Sequence, residues 1–183
     1  MSNFHDCKTE ITSLKNLEYL PYLDDSGSII EDLQGQIGVY AIFNSEKVLQ
    51  FVGYSRDVYL SLKQHLVRQP QHCYWIKVQT IARPSRTILE EIRQNWLEEN
   101  GVTPLGNSSD EAKWNSAIDA KLAMSEAEKA EYEKGMELEK IKLLKKVARR
   151  VEEEVQEQLK NRGVQMELRF NPKLKEQGLL DLK

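Results

Sequence analysis

Gly38-Val39-Tyr40-Ala41-Ile42-Phe43, a polar Asn44-Ser45-Glu46-Lys47, then Val48-Leu49-Gln50-Phe51-Val52-Gly53: this stretch decides the fold. Both flanking runs are rich in β-branched and aromatic residues, and the polar insert has the length of a hairpin loop. Two antiparallel strands follow. After Ser55 the period changes, with Val58, Leu62, His65 and Leu66 at helical spacing and Pro70 closing the segment. Trp75-Ile76-Lys77-Val78-Gln79-Thr80-Ile81 alternates as a third strand. A second helix begins near Ser85, with Ile88, Leu89, Ile92, Trp96 and Leu97 as its buried stripe, and Asn100-Gly101 suits a left-handed C-cap. The order β-β-α-β-α predicts a small α+β domain over residues 35–107, with a central three-stranded antiparallel sheet flanked by helices.

Outward from this domain the text is less regular. Residues 1–34 form a lead-in, in which Leu14, Leu17 and Leu20 follow helical spacing until Pro21, and Asp24-Asp25-Ser26-Gly27-Ser28 is loop. Residues 108–124 read as a linker or a loop packed on the domain. Ser125-Glu126-Ala127-Glu128 then matches a capping box and opens one long charged helix over 125–162, with Gly135 as a bend and Gly163 as its C-cap. Ile141, Leu144, Ala148, Val151 and Val155 form a short coiled-coil seam, ending near Leu159, which needs cover from the domain, the terminal strand or another chain. The charges are in blocks: acidic at 126–139, basic at 140–150, acidic at 152–157. Arg149 with Glu153 and Arg150 with Glu154 stand at i,i+4. In 163–183, Val164 to Phe170 alternates like a strand that Pro172 ends.

The balance of 26 basic and 29 acidic residues gives a net charge of −3, so nucleic-acid binding would need a local patch. No apolar run is long enough to span a membrane, and the first ten residues lack the apolar core of a signal peptide. A cytoplasmic protein without membrane contact is the expectation. Cys7 and Cys73 build no disulfide framework. His5, Cys7, His72 and Cys73 match no zinc spacing, so no metal site is expected, and Cys73 reads as a small buried hydrophobe. The basic run from Lys140 to Arg150 spreads round the helix and reads as a solvated face with partner-matching charges.

Gly38-Val39-Tyr40, followed after ten residues by Phe51-Val52-Gly53, then Ser55, His65, Trp96-Leu97, Pro104 and Asn107, resembles the core of a GIY-YIG nuclease over roughly 35–107. From about Leu14 to Asn107 the chain is still more similar to the N-terminal domain of plant chloroplast monothiol glutaredoxins. Leu49-Gln50-Phe51-Val52-Gly53, His65-Leu66, Cys73, Lys77-Val78 and Pro104-Leu105-Gly106-Asn107 carry that likeness. It hints at a photosynthetic lineage; no glutaredoxin motif occurs in this chain.

The nuclease resemblance implies proton transfer by two motif tyrosines, metal binding by a helical glutamate, phosphate stabilisation by an arginine, and domain closure by an asparagine. Tyr40 keeps the first hydroxyl. The second position is Phe51, which can move no proton; the arginine position is Ser61; the glutamate position is Arg93, which repels a metal ion. His65 and Asn107 remain. Losing one transition-state group typically costs about 10²–10³ in rate, so the expectation is a degenerate site in a binding or scaffolding module, with nucleic acid or a protein as partner. The enzyme alternative is a weak Mg²⁺-dependent endonuclease using Tyr40, His65 and Glu91, or its neighbour Glu90. Tyr40 reads more readily as a strand tyrosine packing its ring in a small core than as a catalytic remnant, and His65 reads equally as a phosphate contact and as a half-buried, satisfied side chain. Arg56, Lys63, Arg68, Arg93 and Asn107 are the candidate nucleic-acid contacts. A structural alternative pairs the helix 125–162 with a protein partner or a second copy.

Overall fold

The computed structural model describes residues 9–183. Strand β2 (Ile37–Phe43) lies between β3 (Leu49–Ser55) and β4 (Trp75–Ile81), and both pairings are antiparallel. A fourth strand, β1 (Leu20–Pro21), adds to β4 through Leu20↔Ile76, giving the order β1-β4-β2-β3. The expected three-stranded sheet is therefore one strand wider. The helix anticipated before Pro21 is only a 3-10 turn at Leu14–Asn16, after which the chain extends. Proline has no N–H to give a ladder, and an edge strand is where a sheet tolerates it.

Both faces of the sheet are covered, which is why β2 reads as an unbroken apolar run. Val39, Ala41 and Phe43 meet Leu89, Ile92 and Trp96 of α2 (Arg86–Asn100). Tyr40 and Ile42, with Phe51 and Ile76, meet Leu62 and Leu66 of α1 (Val58–Arg68). Asp57 and Ser85 cap the two helices by accepting from Leu60 N and Ile88 N, and Gly101 ends α2 with φ of 80°. Gly53 sits opposite Tyr40. A Cβ there would lie 2.6 Å from the Phe51 ring and 2.8 Å from the Tyr40 hydroxyl. Gly53→Ala is expected to destabilise by about 1–3 kcal/mol through overpacking, read as a lowered midpoint in urea unfolding; an unchanged midpoint would mean the two rings yield freely.

Beyond the sheet the sequence expectations need three corrections. The supposed linker holds α3 (Glu111–Asn115) and β5 (Ile118–Asp119). The single long helix is two, α4 (Glu126–Lys134) and α5 (Glu137–Asn161), because the chain is extended at Gly135 and Met136. Third, Val164 to Phe170 forms no ladder, only one bridge, Phe170↔Leu182; alternation without a neighbouring strand gives no strand. The terminal strand is instead β6 (Leu179–Leu180), paired with β5 after the short α6 (Pro172–Lys175).

Helix α4 folds back on α5. Arg150 grips Glu128 with two bonds, at 2.6 and 2.9 Å, and Lys140 stands over the Tyr132 ring at 5.3 Å. Within the basic block Lys145 pairs with Glu176, and Arg150 turns to Glu128 rather than Glu154. The buried stripe of α5 is wider than a heptad seam: Leu143, Leu144, Val147, Ala148, Val151, Val155 and Leu159, with Ile141 half-buried. It joins the core shared by α1 and the sheet. Arg162 completes the attachment by donating to the carbonyls of Pro70 and Cys73 and covering the Tyr74 ring at 3.7 Å. Among the described residues, no helix is long and apolar enough to cross a membrane.

Candidate functional site

Strand β3 is an edge of the sheet, and the chain after α2 returns along it. Asn107 accepts from Val52 N and donates to Val52 O, both at 2.8 Å, so its amide pairs with β3 as a neighbouring strand would. Beyond Asn107 a groove of about 330 Å³ opens, lined by Tyr40 and residues 51–54 on the floor, Glu90 and Arg93 from α2, and Glu111 and Asn115 from α3. Its two walls come from segments far apart in sequence.

Beside the floor lies a closed aromatic cluster. The Tyr40 hydroxyl meets His65 Nε2 at 2.8 Å, and both side chains are buried. Burial pushes the Tyr40 pKa well above its ordinary value, against the Ser61 hydroxyl and the Arg68 charge, which lower it. Burial, aided by Arg68, pulls His65 down to about 3, so the imidazole is neutral at ordinary pH. Phe51 has no hydroxyl to add. It stacks instead on Trp114, ring centroids 5.2 Å apart and planes 1° from parallel, and His65 touches both rings, 4.7 Å from Phe51 and 5.6 Å from Trp114. Trp114 is 3% exposed. The indole covers Phe51 and His65 from the α3 side.

On the α2 wall, Arg93 reaches Val52 O at 3.4 Å and Glu90 at 2.9 Å. Burial would raise the Glu90 pKa, but the Gln94 amide and Arg93 outweigh it and hold the carboxyl below its ordinary value. Glu91 is exposed on α2 and does not line the groove; Glu90 does. The candidates therefore separate. Tyr40, Arg93 and Glu90 share the groove, with His65 just behind. Arg56 lines an adjoining depression of about 310 Å³, with Arg86 and Tyr54, and Tyr54 is common to both. Lys63 faces a different surface, near Glu167 and Arg169. Arg68 is turned inward, bonded to Trp114 O and Asp181 Oδ2, each at 2.8 Å, and Asn107 is fully engaged with Val52.

Part of this chain is similar to a plant glutaredoxin. The relative is the bifunctional monothiol glutaredoxin-S16, chloroplastic, of Arabidopsis thaliana, 32% identical over 103 residues. The match covers 54% of this chain and 33% of that protein, so the chain spans about a third of the length of the relative it matches. No family model matches the chain.

Against that partial likeness the thiol chemistry of this chain is plain. Cys73 is fully buried, and burial pushes its pKa well up, so it stays a protonated packing residue. Its sequence neighbour His72 is exposed, while His5 and Cys7 of the weighed zinc set lie outside the described residues. Nor does the groove's donor set fit a divalent cation. Its α2 carboxylate, Glu90, already neutralises Arg93, and a guanidinium occupies the same wall. Among the described residues no group of three or more His, Cys, Asp or Glu side chains stands together to hold a metal.

Sequence reasoning missed Trp114, Glu111 and Asn115, all in the stretch without periodicity. A large aromatic alone in a polar segment was the available signal. It marks a side chain with apolar area to bury.

Proposed function

We propose that residues 35–107 form a GIY-YIG-like domain which binds a phosphodiester strand of nucleic acid at the β3 edge and does not hydrolyse it. One observation carries this reading. Arg93 stands in the groove beside Tyr40, at the position where the resemblance calls for a metal-binding carboxylate. Its Nη1 is bonded to Glu90 and its Nε to Val52 O, which leaves Nη2 to donate to a phosphate, while the guanidinium repels the metal that hydrolysis requires. Arg56 and Arg86, across Tyr54, extend the positive charge along the strand end, and the exposed part of the Tyr54 ring offers a stacking surface between them. The partner is sequence-tolerant, because these groups touch backbone and ring faces rather than base edges.

Fluorescence anisotropy with labelled single-stranded, duplex and branched oligonucleotides tests this. Binding should weaken steeply with salt. Arg93→Ala should lower the slope of log K against log salt by about 0.7–0.9, the loss of one phosphate contact. Incubation with Mg²⁺ or Mn²⁺ should leave every substrate intact, also for Phe51→Tyr. Metal-dependent cleavage that Tyr40→Phe abolishes would sink the reading, as would binding indifferent to salt.

A further inference from the structure

We infer that the C-terminal segment is a strap that holds α3 against the groove, and that its release opens the site. This rests on the groove's being the binding site. Helix α3 is five residues long, and apart from Trp114 its side chains are exposed. It is fastened by the Trp114 ring and by two carbonyls, Lys113 O accepting a long 3.5 Å bond from the Gln69 amide and Trp114 O a shorter one. Arg68 Nη1 donates to Trp114 O, while Nη2 of the same guanidinium donates to Asp181 Oδ2. One side chain of α1, 7% exposed, thus clamps α3 to residue 181. The β5–β6 pairing, Ile118↔Leu180, continues the fastening on the far side of α3.

The clamp is incomplete. Arg68 Nε and Asp181 Oδ1 are buried and lack partners among the described residues, as does His65 Nδ1 beneath them. A guanidinium and a carboxylate meeting by one bond, with a second donor and acceptor left idle, form a weaker latch than a two-bond fork. Glu111 and Asn115 of α3 form one wall of the groove. When residues 179–182 let go, that wall and the indole move together. The Phe51 ring and the Tyr40 hydroxyl then face solvent, and the acidic Glu111 withdraws from a site meant for phosphate.

Hydrogen–deuterium exchange on the full chain tests the strap without any ligand. In Asp181→Ala, amides of residues 111–120 should exchange faster by on the order of a hundredfold, the loss of one partner of a buried pair, while β2, β4 and α2 keep their protection. Asp181→Asn, which keeps shape and one acceptor, should give a smaller change in the same place. Equal loss of protection across the sheet, or none over 111–120, overturns the strap. Binding of a labelled oligothymidylate should tighten in the same variants. Local opening without oligonucleotide binding in any form of the protein would keep the strap and remove the nucleic-acid reading.

Discussion

Trp114→Ala is expected to destabilise the protein by about 3–5 kcal/mol, the range for deleting a large buried aromatic. The indole is buried, stacked on Phe51 and packed against His65 at 5.6 Å, so its removal leaves a cavity beside Phe51 and His65, the partner of Tyr40. The loss also unfastens α3, whose other side chains bury little. Urea unfolding of the two proteins measures the difference. The variant should also show a Tyr40 whose ionisation in the ultraviolet begins at lower pH, because burial is the main cause of its raised pKa. A cost under about 1 kcal/mol would mean that α3 is a loose flap, and that its position over Phe51 contributes little to the fold.

Acid should weaken the fold well before carboxylates take up protons. His65 has an ordinary pKa of 6.5 and a folded value of about 3, held down first by burial and then by Arg68. A group depressed on folding contributes stability that is present above its unfolded pKa and is lost as the pH falls toward its folded one. Below 6.5 the unfolded chain binds a proton that the folded chain refuses, and unfolding gains. The loss amounts to about 2 kcal/mol by about pH 5 and about 4 kcal/mol by about pH 3. Chemical denaturation at a series of pH values measures it. The discriminating interval lies between 6.5 and about 5, where His65 is the buried histidine among the described residues. The double variant Tyr40→Phe/His65→Leu removes both partners of the 2.8 Å bond and should flatten that interval. An unaltered slope would assign the acid sensitivity elsewhere.

The sheet and its two helices were legible because each has a local signature. Alternating β-branched runs, the period change after Ser55, a serine cap at residue 85 and Gly101 at the end of α2 all agree with one another and with the fold. The capping box at Ser125 was equally clear. What failed had no local signature. Strands β1, β5 and β6 are two residues each, too short for any period, and exist because a partner lies beside them. The break at Gly135 showed only as a bend, since a glycine in a charged helix costs about 1 kcal/mol and often leaves the helix intact. Arg68 looked like any surface arginine. Its inward turn depends on residues 114 and 181 arriving at one place, and no window of sequence contains all three.

The site divides in the same way. Phe51 and Arg93 stood out directly, because each differs from the side chain whose specific chemistry the nuclease resemblance implies at its position. Glu91 and Glu90 stayed alternatives because neighbouring residues on a helix differ by 100° of rotation, and the groove takes Glu90. The plug was invisible, since Trp114 owes its place to β5, β6 and Arg68 together.

The amide of Asn107 has a consequence for how this molecule behaves in a crowd. An exposed sheet edge is a template on which further chains add strand by strand, and natural proteins blunt such edges. At one margin of this sheet Pro21 presents no N–H, and at the other Asn107 occupies both backbone groups of Val52. The sheet is thus stopped at both ends by single residues. The same asparagine that pairs with Val52 in place of a strand keeps neighbouring molecules from polymerising along that edge.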